Sequence, residues 1–339
     1  MILTNDNKYE ESRRKQLKID EFNSVEHPFM EQLKELGWND DANEVIELKM
    51  QQQPSESFRT SFSEVVLMPK LRKALKQIND FLTDSQIDEV ANRITAYQGG
   101  TLLENNECIF NLLVEGTSVS RNEQTGEQSP FVRYIDFDHP ENNIFTAISQ
   151  FKVAIPGTDH HIIPDIVLFL NGLPIVVVEA KSPKVSEPLP EAIDQLMRYS
   201  EQRGDTGEGN PALFQYNQFL IVTCRNEAKA GTITTHREKY FYRWTDPYPM
   251  TLNDLTHGQS APNDQQRLVA GMLSLQNLLD IIRIFTIFSI NDKGKKIKEG
   301  QTIKIKVSKG AEKVEVPDFD GMKFDEYIDK YVELYRLLS

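Results

Sequence analysis

The chain has 339 residues, more than one hydrophobic core ordinarily organises, so one large domain with appendages or two domains is expected. Hydrophobic residues make up 39% and aromatic residues 9%, an ordinary globular balance that excludes wholesale disorder. A net charge of −13 excludes a surface coated with basic nucleic-acid-binding side chains, although it leaves room for a local basic groove, because the field that matters is local. Two cysteines, Cys108 and Cys224, are too few for a disulfide framework or a cysteine zinc site and fit a reducing compartment. No apolar signal core opens MILTNDNKYEESRRKQ, and no run reaches the roughly 18 apolar residues of a membrane span, so a cytoplasmic chain with no membrane partner is expected.

Residues 1–23 read as a polar arm. SVEHPFMEQLKELGWND (24–40) then spaces Phe29, Leu33 and Leu36 as a helix does, with Ser24 as the expected N-cap and Gly37 as the stop. Two amphipathic helices follow in SEVVLMPKLRKALKQINDFL and SQIDEVANRITAYQ, ending at Gly99-Gly100, and ENNECIFNLLVEG (104–116) makes a third. The period then changes. VRYIDFD (132–138) and NIFTAISQFKVAI (143–155) are rich in β-branched and aromatic residues and read as strands. PDIVLFLNGLPIVVVEAKSP (164–183) supplies two more strands and a turn, PEAIDQLMRYSEQ (190–202) a helix, and FLIVTC (219–224) another strand. This order predicts an α/β arrangement around a mixed sheet. QQRLVAGMLSLQNLLDIIRIFTIFS (265–289) reads as a long apolar helix or a helix pair. Eight lysines between Asp292 and Lys313 precede FDEYIDKYVELYRLLS, an amphipathic helix.

Within 164–183, Asp165, Glu179 and Lys181 stand at the edges of apolar runs. Burying an unpaired charge costs several kcal/mol, so the three call for a common explanation. Glu179 and Lys181, two apart on a strand, share a face while Ala180 points to the other. Strand register decides whether Asp165 joins them. A two-residue Asn171-Gly172 turn sets Asp165 opposite Val178 and sends Glu179 to the wrong face; a three-residue loop with Gly172 left-handed restores both carboxylates to one side. The three-residue loop is therefore expected. Two carboxylates and a lysine at a sheet end can hold a hard divalent cation, Mg²⁺ being the natural candidate, and the chemistry this implies is phosphodiester hydrolysis. For a lone E-x-K the ordinary reading is a solvated salt bridge. Here the pattern is P-D, thirteen residues, then E-x-K, across two apolar strands, and a charge ending a strand buried on both faces is unusual.

That stretch resembles the nuclease motif of the PD-(D/E)xK fold, and more narrowly the N-terminal domain of the R subunit of type I restriction enzymes. Gln195 and Tyr199 on AIDQLMRY match the Q-x-x-x-Y motif that follows, NNIFTAISQFKV resembles the strand before it, and FQYNQFLIVTCRNEAKAGTITTHREKYFYRW resembles the stretch after it, through Gly231-Thr232 and Trp244. The resemblance covers roughly residues 24–290. It implies a mixed-sheet nuclease core flanked by helices, with an endonuclease-like domain over 24–250 (core about 101–244); the helical, lysine-rich region over 251–339 is read from the residues themselves, and its last fifty fit nothing in the family. Asp165 and Glu179 become metal ligands for Mg²⁺, which Mn²⁺ can replace, and Lys181 the catalytic lysine. Gln195 and Tyr199 assist. Members of the fold often add an acid from a leading helix; Glu26 sits there, with Glu31 and Glu104 as rivals. His160 and His161 are taken as loop histidines. Arg198 and the lysine-rich tail are candidate phosphate contacts, although a lysine run is more often a solvated surface.

Family members continue into an ATP-driven translocase, whereas no G-x-x-x-x-G-K-[ST] phosphate loop occurs in this sequence, so no ATP site is expected here. The implied function is Mg²⁺-dependent cleavage of double-stranded DNA by the nuclease portion of an R subunit. Methyltransferase and specificity subunits and a separate translocase are the expected partners. The alternatives are a non-catalytic docking module of such a complex and a nuclease of the same fold outside restriction.

Overall fold

The structure is a computed structural model that describes residues 21–96, 99–122, 125–256, 261–290 and 295–300. Seven strands form one mixed sheet: β1 (Glu44–Ile46), β2 (Phe145–Ser149), β3 (Ile166–Leu170), β4 (Leu173–Ala180), β5 (Phe219–Thr223), β6 (Ala228–Gly231) and β7 (Tyr242–Arg243). They lie in the sheet in chain order. Two joints are parallel, β1 with β2 and β4 with β5; the others are antiparallel. Every residue of β2, β3, β4 and β5 is buried, which is why these segments read as unbroken apolar runs rather than alternating ones.

Helices cover the sheet. α1 (His27–Leu33) is followed by α2 (Met68–Ile78), α3 (Asp84–Thr95), α4 (Leu102–Glu115), α5 (Pro188–Tyr199), α6 (Asp264–Leu273) and α7 (Leu275–Arg283). Capping boxes start α3, α4 and α6, from Thr83 with Gln86, Thr101 with Glu104 and Asn263 with Gln266; each satisfies amide donors that a helix start leaves open. α5 is the parallel crossover between β4 and β5 and packs on both. The turn leaving α1 stops at Gly37, whose φ of 88° ends the helix as its sequence position suggests. Trp38, fully buried, then packs edge-on against Phe145 and donates Nε1–H to the Leu273 carbonyl at 2.8 Å. Truncating such a side chain costs about 3–5 kcal/mol, so Trp38 is a principal joint between α1, the sheet and α6.

Several expectations are revised. The leading helical run begins in a π-turn over Phe22–Glu26, so Ser24 lies inside it and not at its cap. Of VRYIDFD only the first residue is a strand residue, in a short ribbon of Phe131–Val132 with Thr117–Ser118. Residues 265–289 divide at Ser274 into α6 and α7 and then a hairpin strand, Thr286–Ile290, paired with Lys296–Gly300. Gln265 and Gln32 tie α6 to the α1 region, and the described residues on both sides of residue 250 belong to one compact unit. From the lysine-rich tail, Lys298 is not solvated: it is buried and donates to Asn106, the Asn217 carbonyl and Gln218 at 2.9–3.0 Å. The rest of that tail beyond residue 300 and the helix expected over 324–339 lie outside the described residues, as does the arm over 1–20. No helix among the described residues is long and apolar enough to cross a membrane.

The β3–β4 hairpin is made differently from expectation. Leu170 pairs with Leu173, leaving a two-residue turn in which Asn171 (φ 53°) and Gly172 (φ 80°) are both left-handed. The extra residue sits in the ladder instead. Leu168 faces Val176 and Phe169 faces Pro174, so Ile175 is a bulge; its carbonyl accepts the Gln218 amide at 2.6 Å. Pro174, which has no N–H to offer a ladder, stands beside it.

A Cβ on Gly172 would lie 2.5 Å from the Leu67 carbonyl oxygen and 2.8 Å from the Leu71 nitrogen, whereas one on Gly157 (φ 75°) would meet nothing within 4 Å. Gly172→Ala is expected to cost roughly 3 kcal/mol in urea unfolding, strain plus overlap, against roughly 1 kcal/mol for Gly157→Ala. Equal costs would contradict this account of the turn.

Candidate active site

The bulge decides the site. Ile166 pairs with Val178, so the register carried one step further sets Asp165 against Glu179. The three-residue loop is thus corrected, while the juxtaposition it was invoked to produce is present by another route. Ala180 N–H donates to Asp165 Oδ2 at 2.8 Å and seals the strand ends together. Glu179 is fully buried, and Asp165 and Lys181 are each only 6% exposed. Lys181 Nζ donates to Glu179 Oε1 at 2.8 Å and to the Ala180 carbonyl at 3.0 Å. The Lys181 amide is held by the Thr223 carbonyl of β5.

One lysine does not neutralise two carboxylates. Burial, and then the charge of Asp165, pushes the Glu179 carboxyl well above the usual range; burial raises Asp165 too, against the pull of Lys181. Burial opposes ionisation of Lys181, but Glu179 and Asp165 outweigh it and raise its pKa. Glu179 Oε2, although buried, has no hydrogen-bond partner. An oxygen-only donor set carrying excess negative charge and an unsatisfied oxygen is chemically suited to a hard divalent cation.

Glu26, 3% exposed, reaches the same place from the π-turn. Gln150 Nε2 bridges it to the pair, at 2.8 Å from Glu26 Oε2 and 3.2 Å from Asp165 Oδ1. Gln150 itself has φ of 52°, a left-handed conformation unusual for a residue with a side chain and of the kind that collects at functional sites. Its backbone N–H donates to the Asp165 carbonyl at 2.7 Å. The rivals lie elsewhere. Glu31 pairs with Lys34, which also bridges to Glu47, and Glu104 is spent in the capping box of α4. His161 is exposed at the edge of a small ribbon against Phe62.

Gln195 and Tyr199 meet on α5, Nε2–H to the phenol oxygen at 2.7 Å, and the phenol donates to the Ile163 carbonyl at 3.4 Å. Burial first, then the charges of Glu179 and Asp165, raise the Tyr199 pKa, so the phenol stands in the field of both acids. Arg198 lies over the Tyr199 ring at 5.3 Å. Glu21 and Gln150 are missed by sequence reasoning. Glu21 Oε2 accepts the Ser182 N–H at 3.0 Å, and its carboxyl is raised by burial and by Asp165. Their signal is weak in sequence, because each reaches the site across more than a hundred residues or from one side of a strand terminus.

The family described as type I restriction enzyme R protein N terminus matches residues 18–239, a span that contains all of these side chains. The chain belongs to this family. Its similarity to the type I restriction enzyme HindI endonuclease subunit of Haemophilus influenzae is 29% identity over 278 residues, 82% of this chain and 25% of that protein. With the putative type I restriction enzyme MjaIXP endonuclease subunit of Methanocaldococcus jannaschii it shares 26% identity over 230 residues, 68% of this chain and 21% of that protein. The chain thus spans about a quarter of the length of these relatives.

The raised carboxyls predict a stability effect with a defined sign. A carboxyl raised in the folded state destabilises it above the ordinary pKa, 3.8 for Asp, and has no such effect below, where folded and unfolded states are both protonated. Asp165→Asn is expected to raise the melting temperature of chelator-treated protein at pH 7–8 by roughly 2–4 °C, the shift that about 1 kcal/mol makes in a sizeable domain. The gain should vanish below pH 3.8. A lower melting temperature at neutral pH would contradict the electrostatic account.

Proposed function

We propose that this chain is the nuclease portion of a type I restriction R subunit and cleaves double-stranded DNA with a divalent cation, Mg²⁺ or in its place Mn²⁺. The observation that carries the reading is the buried Asp165–Glu179 pair, two carboxylates with a single lysine and an oxygen left without a partner. Asp165 and Glu179 would hold the cation, with Glu26 beside them. When bound, the cation supplies a water of lowered pKa and neutralises charge on the phosphodiester.

The chain's own groups do the rest. Lys181, kept protonated by the two acids, offers an N–H donor to the attacking water or to the charge developing on a phosphate oxygen. The Gln195–Tyr199 pair presents a fixed donor and acceptor close to both acids and orients DNA or Lys181. Sequence recognition would come from methyltransferase and specificity subunits acting with this chain, and ATP-driven movement from a translocase.

The test combines Mn²⁺ calorimetry with plasmid cleavage, run with those partner subunits present. Wild type should bind Mn²⁺ and cleave. Asp165→Ala should lose both, and Lys181→Ala should keep the metal while cleaving at least about 100-fold more slowly. A wild-type chain that binds no Mn²⁺ and cuts nothing with its partners would overturn the proposal in favour of a docking module.

A further inference from the structure

The acids at the sheet end repel any polyanion that approaches them, so a substrate with a phosphate backbone needs a basic contact close by. A ribbon beside the site carries one. β2 ends at Ser149, opposite Ile166 of β3, and the chain between them runs on past the sheet, pairing Val153 with Ile162 and Ala154 with His161. Its base is fixed to the site. The Gln150 and Phe151 N–H groups donate to the Asp165 and Pro164 carbonyls at 2.7 and 3.2 Å, and the Tyr199 phenol donates to the Ile163 carbonyl. Higher up, the Ala154 N–H donates to the Phe62 carbonyl at 2.9 Å, which ties the Phe62 loop to the ribbon.

Three basic side chains gather round the Phe62 ring. Lys152 Nζ lies 4.8 Å and Arg59 Cζ 5.7 Å from its centroid, and the exposed His161 ring stands perpendicular to it at 5.5 Å. Arg59 is buried, and its hydrogen bonds all go to neutral acceptors: the Ser57 hydroxyl, the Gln51 amide and the Glu64 and Lys152 carbonyls. Among the described residues no carboxylate forms a salt bridge with Arg59, Lys152 or His161. Burial, then the charge of Lys152 and then that of His160, hold the His161 imidazole below its ordinary pKa, outweighing the pull of Asp159. Basic groups pressed together in this way favour an anion that arrives between them. We propose that Lys152 and His161 contact the sugar-phosphate backbone of the DNA strand that enters the Asp165–Glu179 site. This rests on the nuclease reading above and adds to it the surface that holds the substrate. The reach fits: four residues of chain separate His161 from Asp165, at most about 14 Å when extended. That is about four phosphates along one strand, each advancing about 3.4 Å. Such a contact fixes the duplex without reading its sequence.

Lys152 also has a bland role to be separated from this one, since its side chain packs on Phe62. The experiment measures binding of a short random-sequence duplex to the full-length chain by fluorescence anisotropy across a KCl series, with Ca²⁺ in place of Mg²⁺ so that binding is read without cleavage. Lys152→Gln should lower the slope of log affinity against log salt by about 1, the loss of one phosphate contact, and Lys152→Arg should restore it. Lys73→Gln should leave the slope unchanged; that exposed lysine is on α2, which begins against Gly172 at the other end of β3 from Asp165. In wild type the duplex should also raise the titration midpoint of His161 read by proton NMR, because a phosphate offsets the charge of Lys152. A wild-type slope in Lys152→Gln, or a His161 midpoint that the duplex leaves in place, would overturn the contact. The nuclease reading would still stand if the same wild type cleaved plasmid with the partner subunits. A wild type that binds no duplex and cuts nothing with those partners would overturn both.

Discussion

Two carboxylates pressed together at the dry end of a sheet, with one lysine between them and solvent, is the constraint around which this fold is arranged. Asp165 and Glu179 gain nothing from burial as such; desolvation acts against both, and the charge of Asp165 acts against Glu179. They stay in place because β3 and β4 are sealed on both faces and on both edges, by β2 and β5 laterally and by helices above and below. The apolar contacts of those four strands hold the acids where the acids themselves would not go. A site that stores repulsion in this way has an affinity for positive charge before any ligand arrives.

The supporting parts follow the same logic. The Ala180 N–H and the Gln150 amide are donors aimed at carboxylates, each delivered by backbone that departs from regular structure: the bulged strand for one, a left-handed residue for the other. The leading helix departs as well, with its π-turn. Three local irregularities thus converge on one group of acids, while the framework around them, from the capping boxes to the buried Trp38, is regular and well satisfied.

Much of this was legible from sequence because it is local or periodic. The unbroken apolar runs declared β3, β4 and β5, helix-spaced residues declared α2 to α5, and the E-x-K spacing told that Glu179 and Lys181 share a face. The hairpin was half legible. Sequence reasoning saw that one extra residue was needed to bring Asp165 against Glu179, and assigned it to the loop. Pro174 was the overlooked signal, since a proline within an apparently central strand has no ladder hydrogen bond to make and belongs at an irregularity. Glu21 and Gln150 were not legible, because their parts depend on tertiary approach and on a backbone closure that no residue pattern announces. The solvated lysine run failed at Lys298 for a similar reason: its three oxygen partners come from two distant segments, Asn106 and 217–218.

The bulge at Ile175 has a consequence for how such a site can change over time. Between Asp165 and Glu179 the number of residues acts as a parity setting. With a two-residue turn and one unpaired residue the acids meet; remove that residue, or add another, and every side chain beyond it moves to the opposite face, so that Glu179 and Lys181 point away from Asp165. Substitutions in this interval are therefore judged by volume and polarity, one position at a time, whereas a single insertion or deletion acts on the acidic end all at once. Length, more than composition, is the heritable property of this hairpin, and a gain of two residues is a smaller change to it than a gain of one.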